Sequence, residues 1–407
     1  MNNSPLEFLA KKYGNVVKYD SEGNVAGIFV KFMKMKSSDL VEGLPEHTHP
    51  AFIINGIEQD YILLGKYKAG ENGVSNGALV SLPNIMPVRS LGADQCLSRM
   101  KLAGTGITGM TCADYGFIKL LAQKEGWVPK GNSLWGQSHK DATNWAVNQN
   151  ATVGLVRAYE GYKYTCLIAH TTAAELKPDI APTYWQKGEL IGGISQDNDK
   201  DANTQTGYRT LNGTGPLDWY LGSDPGNLSD IVGSSLEQQY GYRIYDCELQ
   251  ILENNNAADP DADISATSAA WKAILPNQSD DGYTLVAPGT AGTLHWNWDS
   301  ANSKIILDTQ CDDLTVGSKG QNFKTLTAHP TRLPYVPSIV KELGLFPTDA
   351  NDNTEGYYYI TFVAGERFPR RGGDYDDGGR LGLGCVDSNH DRGRAAPYFG
   401  ARPRSLP

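Results

Sequence analysis

The sequence has little that is typical of a membrane or secreted protein. No apolar run approaches the roughly 18 residues that a membrane helix needs, so no membrane insertion is expected. The opening residues Met1–Pro5 lack the basic and then apolar order of a signal peptide. We therefore expect the protein to be assembled in the cytoplasm and not exported by the signal-peptide route.

Positive charge is also scarce. The chain has 36 Lys and Arg residues against 46 Asp and Glu residues, which gives a net charge of −10. A protein that binds nucleic acid by displacing counterions from phosphates needs a basic face, and this balance argues against one. The sequence thus predicts no nucleic-acid partner, and the acidic surplus is expected to serve solubility.

Cysteines are few and lie far apart in the sequence. No two of them have the close spacing of a zinc site or of a disulfide framework, so reduced and individually buried thiols are expected. The six are Cys96, Cys112, Cys166, Cys247, Cys311 and Cys385.

Catalytic signatures are missing as well. The sequence contains no H-E-x-x-H helix, no G-x-S-x-G turn and no phosphate-binding loop with Lys. The segment Gly104–Gly109 matches the dinucleotide fingerprint, but no strand is predicted before it, which favours a turn between two helices. His47 and His49 lack a further ligand nearby and are interpreted as a loop pair. We therefore expect no enzyme and no cofactor.

Two acidic stretches resemble the start of a calcium-binding loop. Their aspartates alternate, at Asp197, Asp199 and Asp201 and at Asp259, Asp261 and Asp263. The twelfth position, where a bidentate Glu belongs, is Tyr208 in one stretch and Ala270 in the other. Solvated acidic turns are expected and no metal site, with incidental cation binding left open.

The features that are present describe a glycine-rich globular chain of mixed structure. With 407 residues, 45 of them Gly, the chain is long enough for one elaborated domain or two to three smaller ones. Hairpins are expected within residues 1–45 and at Asn55-Gly56. Thr111 with Asp114 predicts a capped helix, and residues 243–252 are expected to be a strand. The predicted fold class is α+β with few helices and long loops.

The last 41 residues, from Arg367 to Pro407, use a restricted set of residue types. Lys, Glu, Gln, Trp and Met make up 66 of 407 residues, so this stretch should contain about six or seven of them on composition alone. It contains none, although Asp, Arg, Tyr and His are all present. The five missing types share one property, because none has a codon that ends in a pyrimidine. AAC codons randomised at their adenines would produce this vocabulary.

This tail resembles the variable proteins of diversity-generating retroelements, whose C-type-lectin-like fold is related to that of formylglycine-generating enzyme. Arg371–Gly378 resembles the family's opening "RGG, polar or aromatic, Gly", and Gly382-Leu383 its central Gly-Leu. Gly400–Pro403 is similar to the closing "G-F-R-P", with Ala401 in place of Phe. Upstream segments resemble gut-phage members of the family, so that the resemblance runs from about residue 28 to the end. These segments are His49–Gly56, Ser81–Pro83, Trp127–Asn132 and Ser265–Leu275.

Two departures from the family pattern limit what is carried over. Gly233–Gln238 replaces the usual "G-N-V-W-E-W", which puts the packing of that loop in doubt. Cys385 is the only cysteine after Cys311, so the copper-binding cysteine pair of a formylglycine-generating enzyme is not recognisable. The resemblance therefore implies no enzymatic role.

The resemblance implies a C-type-lectin-like α+β domain over residues 46–407, with long loop insertions and a diversified region at 371–403. Residues 1–45 would be an N-terminal attachment segment with a short β-hairpin. The implied function is recognition of a host-cell surface protein or glycan receptor by a phage tail-fibre tip protein. The expected location is the virion tail, in contact with other virion or tail proteins and as a trimer, with the bacterial cell surface as the alternative.

Ten residues of the diversified region are predicted to contact the ligand, because Tyr and Arg dominate binding hot spots, Asp adds charge and Gly leaves pockets. They are Asp374, Tyr375, Asp376, Gly379, Arg380, Gly384, Asp387, His390, Arg394 and Tyr398. Gly373, Gly400 and Arg402, which frame the region, are predicted to be scaffold. The expected apolar anchors are Leu381, Leu383 and Val386.

Two other functions stay open. An oxidase of the formylglycine-generating type would need two cysteines that converge to metal-binding distance, so isolated sulfur atoms would exclude it. A purely structural virion protein would predict that changes at the diversified positions leave host adsorption untouched.

Overall fold

The computed structural model describes residues 5–71, 77–194 and 209–407. The acidic stretch at Asp197, Asp199 and Asp201 lies outside these residues. Within the described ranges the chain forms a few short helices and many short strands, which pair mostly in antiparallel fashion. This mixture agrees with the predicted α+β class. No helix of these ranges has the length and hydrophobicity needed to cross a lipid bilayer.

The longest helix among the described residues begins at the predicted cap. The Thr111 hydroxyl accepts a hydrogen bond from the Asp114 N–H, and the Asp114 carboxylate accepts one from the Thr111 N–H, at 3.1 and 3.0 Å. The helix ends before Gly126, whose φ of +63° is in the left-handed region that ends helices. The helices are α1 (Pro5–Lys12), α2 (Ser37–Leu40), α3 (Ala93–Lys101), α4 (Cys112–Lys124) and α5 (Ser338–Glu342).

The strands are short, as the frequent glycines and turns require. In chain order they are β1 (Val16–Tyr19), β2 (Val25–Met33), β3 (Ile53–Ile54), β4 (Ile57–Glu58), β5 (Tyr61–Gly65), β6 (Ile107–Gly109), β7 (Asn150–Ala151), β8 (Val156–Tyr159), β9 (Tyr162–Cys166), β10 (His170–Thr171), β11 (Trp185–Leu190), β12 (Leu236–Gln238), β13 (Tyr242–Tyr245), β14 (Glu248–Ile251), β15 (Lys272–Pro276), β16 (Tyr283–Val286), β17 (His295–Asp299), β18 (Lys304–Asp308), β19 (Gly317–Asn322), β20 (Thr327–Ala328), β21 (Tyr357–Phe362), β22 (Glu366–Arg367), β23 (Arg370–Arg371), β24 (Val386–Ser388), β25 (Phe399–Gly400) and β26 (Pro403–Ser405).

The two ends of the chain share one sheet, with strand order β1-β2-β5-β26-β6. The hairpin predicted in the first 45 residues is β1 and β2, and β2 pairs with β5 from Phe29 opposite Gly65 to Met33 opposite Tyr61. The hairpin of β1 and β2 therefore lies in the same sheet as β5 and as β26, the last strand of the tail.

The tail supplies three strands of a second sheet, in the order β19-β21-β24-β23-β12-β25. A third sheet has the order β16-β15-β14-β17-β18-β20, with β13 on β14 and β22 on β13. The smaller groups are β11-β9-β8, β10-β7 and the hairpin β3-β4 at Asn55-Gly56. The tail thus supplies two inner strands, β24 and β23 between β21 and β12, and the edge strand β25.

Two local predictions were wrong. The expected single strand at residues 243–252 is a hairpin, because Asp246 and Cys247 have φ of +48° and +66° and form a two-residue turn between β13 and β14. The expected helix-to-helix turn at Gly104–Gly109 contains β6, which pairs with β26. Pairing with a strand some 300 residues away has no local signal.

Helix α4 lies at the centre of the main core. The Phe117 ring makes edge-to-face contacts with Phe32 and Phe52, at 5.7 and 5.0 Å between ring centroids. A Cβ at Gly116 would lie 2.1 Å from the Glu342 carbonyl oxygen of α5, so only glycine allows the two helices to approach this closely. The tail packs on the same core through its predicted anchors, and this prediction is confirmed. Leu381, Leu383 and Val386 are all buried there.

Candidate recognition surface

The register of the second sheet decides which tail side chains face inward. Val386 pairs with both Tyr358 and Arg371, and Asp387 pairs with both Tyr359 and Arg370. Paired residues lie on the same side of a sheet, and successive residues alternate. Val386 and Tyr358 are buried in the main core, so Asp387 and Tyr359 lie on the opposite side, under the tail's loops.

Arg371 holds the turn at residues 381–385 from the core side of the sheet. It is fully buried, and its guanidinium donates to the carbonyl oxygens of Leu383, Cys385 and Gly344 at 3.0, 3.1 and 2.8 Å. The charge also lies 4.5 Å from the centre of the Tyr115 ring. Because the acceptors are main-chain atoms, the turn is held whatever side chains it carries.

Arg370 does the same for the loop at 391–394. Its guanidinium donates to the Asp391 and Arg394 carbonyl oxygens at 3.0 and 3.5 Å and lies 3.8 Å from the centre of the Phe399 ring. Burial lowers the pKa of Arg370 to about 10, so the group stays charged at neutral pH. A buried guanidinium with several carbonyl partners ties an irregular loop to the sheet.

Arg402 anchors the end of the tail, as its predicted scaffold role requires. It is fully buried and donates to the Glu237 carboxylate at 2.9 Å and to the carbonyl oxygens of Gly65 and Ser229 at 2.9 and 2.8 Å. Glu237 also accepts from Lys68 at 2.6 Å, and these opposite charges lower its pKa against the effect of burial. Glu237 belongs to the segment 233–238 that departs from the family pattern, and this segment is buried.

We call Arg370, Arg371 and Arg402 the tail arginines. Of these three, only Arg402 was predicted from the sequence. The signal for Arg370 and Arg371 was the restricted composition of the tail, since a stretch without Lys still contains eight Arg residues between 367 and 404. Residues that bind many carbonyl oxygens at once are expected to be Arg, because its planar group presents five donors.

The structure separates the ten predicted contact residues into two groups. Asp376, Gly379, Arg380 and Arg394 are exposed, and His390 and Tyr398 are half-buried. The other four are buried, contrary to their predicted contact role. They are Asp374, Tyr375, Gly384 and Asp387. We call the six accessible residues the tail face.

The four buried positions have structural contacts. Tyr375 is 6% exposed, and its carbonyl oxygen accepts from the Trp135 N–H at 2.8 Å. A Cβ at Gly384 would lie 2.6 Å from Cγ of Phe323, so this glycine serves close packing and not a surface concavity. The Asp387 carboxylate accepts from the Asn389 N–H at 2.8 Å and shapes the following turn.

Charges of both signs meet on the tail face. Partial burial lowers the pKa of His390, with Arg370 and Arg394 lowering it further against the carboxylate of Asp387. Partial burial raises the pKa of Tyr398, and the carboxylates of Asp387 and Asp374 add to the effect. His390 and Tyr398 are therefore both neutral near pH 7, beside the cation of Arg394. Such a surface offers hydrogen bonds and aromatic contact more than net charge.

Three acidic residues lie at one edge of the tail face. Carboxylate oxygens of Asp374, Asp376 and Asp377 lie within 4.8 Å of one another. Burial raises the pKa of Asp374 well above its usual value, and the carboxylates of Asp377 and Asp376 raise it further. Arg380 lies 3.4 Å from the Asp377 carboxylate and donates to the Tyr359 hydroxyl at 2.8 Å.

The cysteine prediction is correct in one respect and wrong in another. All six cysteines are free thiols, and five of them are buried. Two are not isolated, because the thiols of Cys247 and Cys311 interact. Cys247 lowers the pKa of Cys311, whereas Cys311 and burial raise the pKa of Cys247. Cys311 is half-buried and lines a cavity of about 670 Å³ with His295 and Glu248.

The two loop histidines have separate roles. His49 is fully buried, with Nε2 at 3.1 Å from the Glu342 carbonyl oxygen and Nδ1 accepting from the Ala51 N–H at 3.2 Å. His47 is half-exposed, and its Nε2 lies 2.6 Å from the Glu342 carboxylate. Both imidazole rings contact Glu342 of α5, which agrees with their interpretation as a loop pair.

The comparisons with known proteins add nothing to this geometry. No protein-family model matches the chain, and no curated protein matches it. What the tail face does is therefore inferred from its own residues.

Proposed function

We propose that this protein is a non-enzymatic recognition protein whose C-terminal face, diversified by a retroelement, binds a receptor on a host cell. The observation that carries this proposal is the set of hydrogen bonds made by the tail arginines. Their hydrogen bonds end on main-chain carbonyl oxygens or on the Glu237 carboxylate, and not on side chains of the tail face. Side chains above such a base are exchangeable without refolding, which is what a diversified surface needs.

The chemistry of the tail face supports a macromolecular partner. Arg and Tyr are the types most enriched in binding hot spots, and His390 and Asp376 add polar contacts. The ligand class is a host-cell surface protein or glycan receptor. The restricted vocabulary of the last 41 residues supports diversification, since chance composition does not remove five residue types together.

The fold and the location belong to the same proposal. We assign a C-type-lectin-like domain to residues 46–407 and the virion tail as the location, with a trimer as the oligomer. The N-terminal helix α1 supports an attachment role, because Phe8 and Leu9 are 65% and 49% exposed on its surface. These side chains are suited to bind another copy or another tail protein.

The proposal is tested by exchanging residues of the tail face. The double change Arg394→Ala with Tyr398→Ala should reduce binding to host cells at least tenfold, since truncating an Arg or aromatic anchor typically costs about 2 kcal/mol or more. Flow cytometry with labelled protein measures the binding, and calorimetry should find the melting temperature within a few degrees of wild type.

The matched control is Arg332→Ala, a half-buried arginine in the loop after β20, outside the tail, that pairs with Asp308. It should leave cell binding unchanged. If the double variant folds and still binds host cells as wild type does, the recognition surface lies elsewhere or the protein is purely structural.

The competing function is an oxidase of the formylglycine-generating type. The observation that favours it is the Cys247 and Cys311 pair, since that chemistry needs two converging thiols. The pair lies in the third sheet and in the loop after β18, not in the tail. Incubation of the protein with a cysteine-containing peptide, copper and oxygen should yield no aldehyde by mass spectrometry. Aldehyde formation that is lost in Cys311→Ser would overturn the recognition proposal in favour of the oxidase.

A further inference from the structure

A second cavity lies outside the diversified region. It has a volume of about 540 Å³, within the roughly 300–1,000 Å³ typical of small-molecule sites. One wall is formed by residues 134–137 and 143–146, and the other by the tip of the β8–β9 hairpin at residues 158–161. Neither the tail face nor the thiol pair uses it.

Three aromatic side chains line this cavity, namely Trp135, Trp145 and Tyr159. The rings of Trp145 and Tyr159 meet edge to face at 5.6 Å between centroids, which fixes the orientation of both. The backbone of Trp135 has a φ of +47°, a left-handed conformation that a bulky residue adopts only when its surroundings impose it. Trp145 also has a buried indole N–H with no hydrogen-bond partner in the structure.

Polar groups complete the lining. Thr143 brings a hydroxyl and Glu160 a carboxylate, while the side-chain amides of Gln137 and Asn144 already donate to the carbonyl oxygens of Ala142 and Leu134 at 2.7 and 3.4 Å. None of the described residues that line the cavity is Lys or Arg, so an anionic ligand such as a phosphate ester finds no counter-charge. A purely apolar ligand would cover the Thr143 hydroxyl and the Glu160 carboxylate without offering them a hydrogen bond.

We propose that this cavity binds a neutral pyranose ring of a cell-surface glycan. A pyranose has a flat C–H face that stacks on an aromatic ring and an edge of hydroxyl groups that both donate and accept. The aromatic rings match the face, and the Thr143 hydroxyl and the Glu160 carboxylate match the edge. The volume has room for a short oligosaccharide.

The cavity adjoins the tail face through shared main-chain contacts. The Trp135 N–H donates to the Tyr375 carbonyl oxygen at 2.8 Å, and the Gly378 N–H donates to the Ser133 carbonyl oxygen at 2.9 Å. A Cβ built at Gly379 would lie 4.0 Å from Nε2 of His139. A glycan held in the cavity would therefore border the tail face. That division into a fixed sugar site and a diversified face rests on the proposed function, whereas the sugar site itself does not.

The experiment is a titration of the full chain with methyl β-galactopyranoside, methyl α-mannopyranoside and methyl β-N-acetylglucosaminide, followed by saturation-transfer NMR. At least one sugar should bind saturably with a dissociation constant of order 1 mM. Trp145→Phe keeps a ring against Tyr159 but reduces the aromatic surface on which a sugar stacks, and Glu160→Gln removes the charge of an exposed turn residue; each should weaken binding several-fold. Trp298→Phe, a half-buried tryptophan of β17 outside the cavity, is the matched control and should change nothing.

Three outcomes would overturn the sugar site. They are no saturable signal with any of the three sugars, sugar binding that survives both Trp145→Phe and Glu160→Gln, and saturable binding of tryptophanamide in place of sugars. The Arg394→Ala and Tyr398→Ala variant should keep sugar binding while it loses cell binding. If wild type binds cells through the tail face but binds no sugar, only the cavity proposal fails.

Discussion

At the scale of single residues, arginine does two different jobs in the tail. The tail arginines are fully buried and bind carbonyl oxygens, while Arg380 and Arg394 are exposed on the tail face. Burial of a charge is costly unless every donor finds an acceptor, and irregular loops are rich in free carbonyl oxygens. The loops therefore accept hydrogen bonds from the tail arginines and are fixed by them, while Nε of Arg370 has no hydrogen-bond partner among the described residues.

Arg402→Ala should destabilise the protein strongly. The change leaves Glu237 with Lys68 as its remaining buried cation and removes the donors to Gly65 and Ser229, and breaking a buried pair typically costs about 3–5 kcal/mol. Urea denaturation followed by circular dichroism measures the loss. Arg394→Ala is the control and should change the free energy of unfolding by only about 0.5 kcal/mol. Equal stability of Arg402→Ala and wild type would show that Arg402 is not scaffold.

Cys311 should be the first thiol to be modified. It alone among the six cysteines is half-buried, and the neighbouring Cys247 lowers its pKa, which favours the reactive thiolate. Ellman's reagent at pH 8 should titrate one thiol rapidly in the native protein and all six in denaturant. The fast phase should be absent in Cys311→Ser; rapid reaction of several thiols in the native protein would contradict the observed burial.

At the scale of elements, α5 connects the N-terminal part of the chain to the tail. Its Glu342 carboxylate contacts Ser37 and His47, its Glu342 carbonyl oxygen contacts His49, and Gly344 just beyond it accepts from Arg371. A helix of five residues is not stable alone, so these contacts with both segments hold it in place.

Acid should weaken this connection through His49. Burial lowers the pKa of His49 to about 4, below its usual 6.5, so the unfolded chain binds the proton first and stability falls as the pH drops from about 6.5 to 4. The free energy of unfolding should fall by roughly 3 kcal/mol, since a shift of one pKa unit corresponds to about 1.36 kcal/mol. His47, whose pKa the Glu342 carboxylate raises, acts in the opposite direction and offsets part of it.

The measurement is urea denaturation at pH 7.0, 5.5 and 4.5 for wild type and for His49→Gln. The variant is expected to start less stable, because it loses the fit of the ring, but to lose less on acidification. An identical pH dependence in both proteins would show that His49 does not carry this effect.

At the scale of the whole molecule, the chain closes on itself. Strand β26 lies between β5 and β6, so the first 65 residues and the last five share one layer. The tail face is attached to the rest through sheets at both ends of the diversified region, β23 before it and β26 after it. A surface held at both ends keeps its shape when its side chains change, which suits the proposed function.

At this scale we predict the oligomeric state. The trimer that the family resemblance implies should give three times the chain mass of 44.2 kDa in multi-angle light scattering at micromolar concentration. Such multivalency would strengthen weak single-site contacts. The double change Phe8→Ser with Leu9→Ser, on the exposed side of α1, should shift the mass towards the monomer. A monomeric wild type across the micromolar range would contradict the trimer.

Local signals in the sequence were enough for the elements that depend on neighbouring residues. The Thr111 and Asp114 cap, the Asn55-Gly56 hairpin and the apolar anchors of the tail were predicted correctly, since caps, tight turns and buried Leu or Val act over a few residues. The sequence also contains the restricted set of residue types in its last 41 residues, which led to the hypothesis of a diversified surface.

Only the tertiary structure decided which residues of that surface are accessible. Asp374 and Tyr375 are of residue types common in binding sites but are buried, and the Tyr375 carbonyl oxygen accepts from the Trp135 N–H, far away in sequence. The Cys247 and Cys311 pair and the partners of the tail arginines are likewise long-range contacts. Burial and pairing depend on how distant segments pack, and residue type or spacing does not record this. The composition of the tail thus defined the candidate region, and packing selected the six residues of the tail face within it.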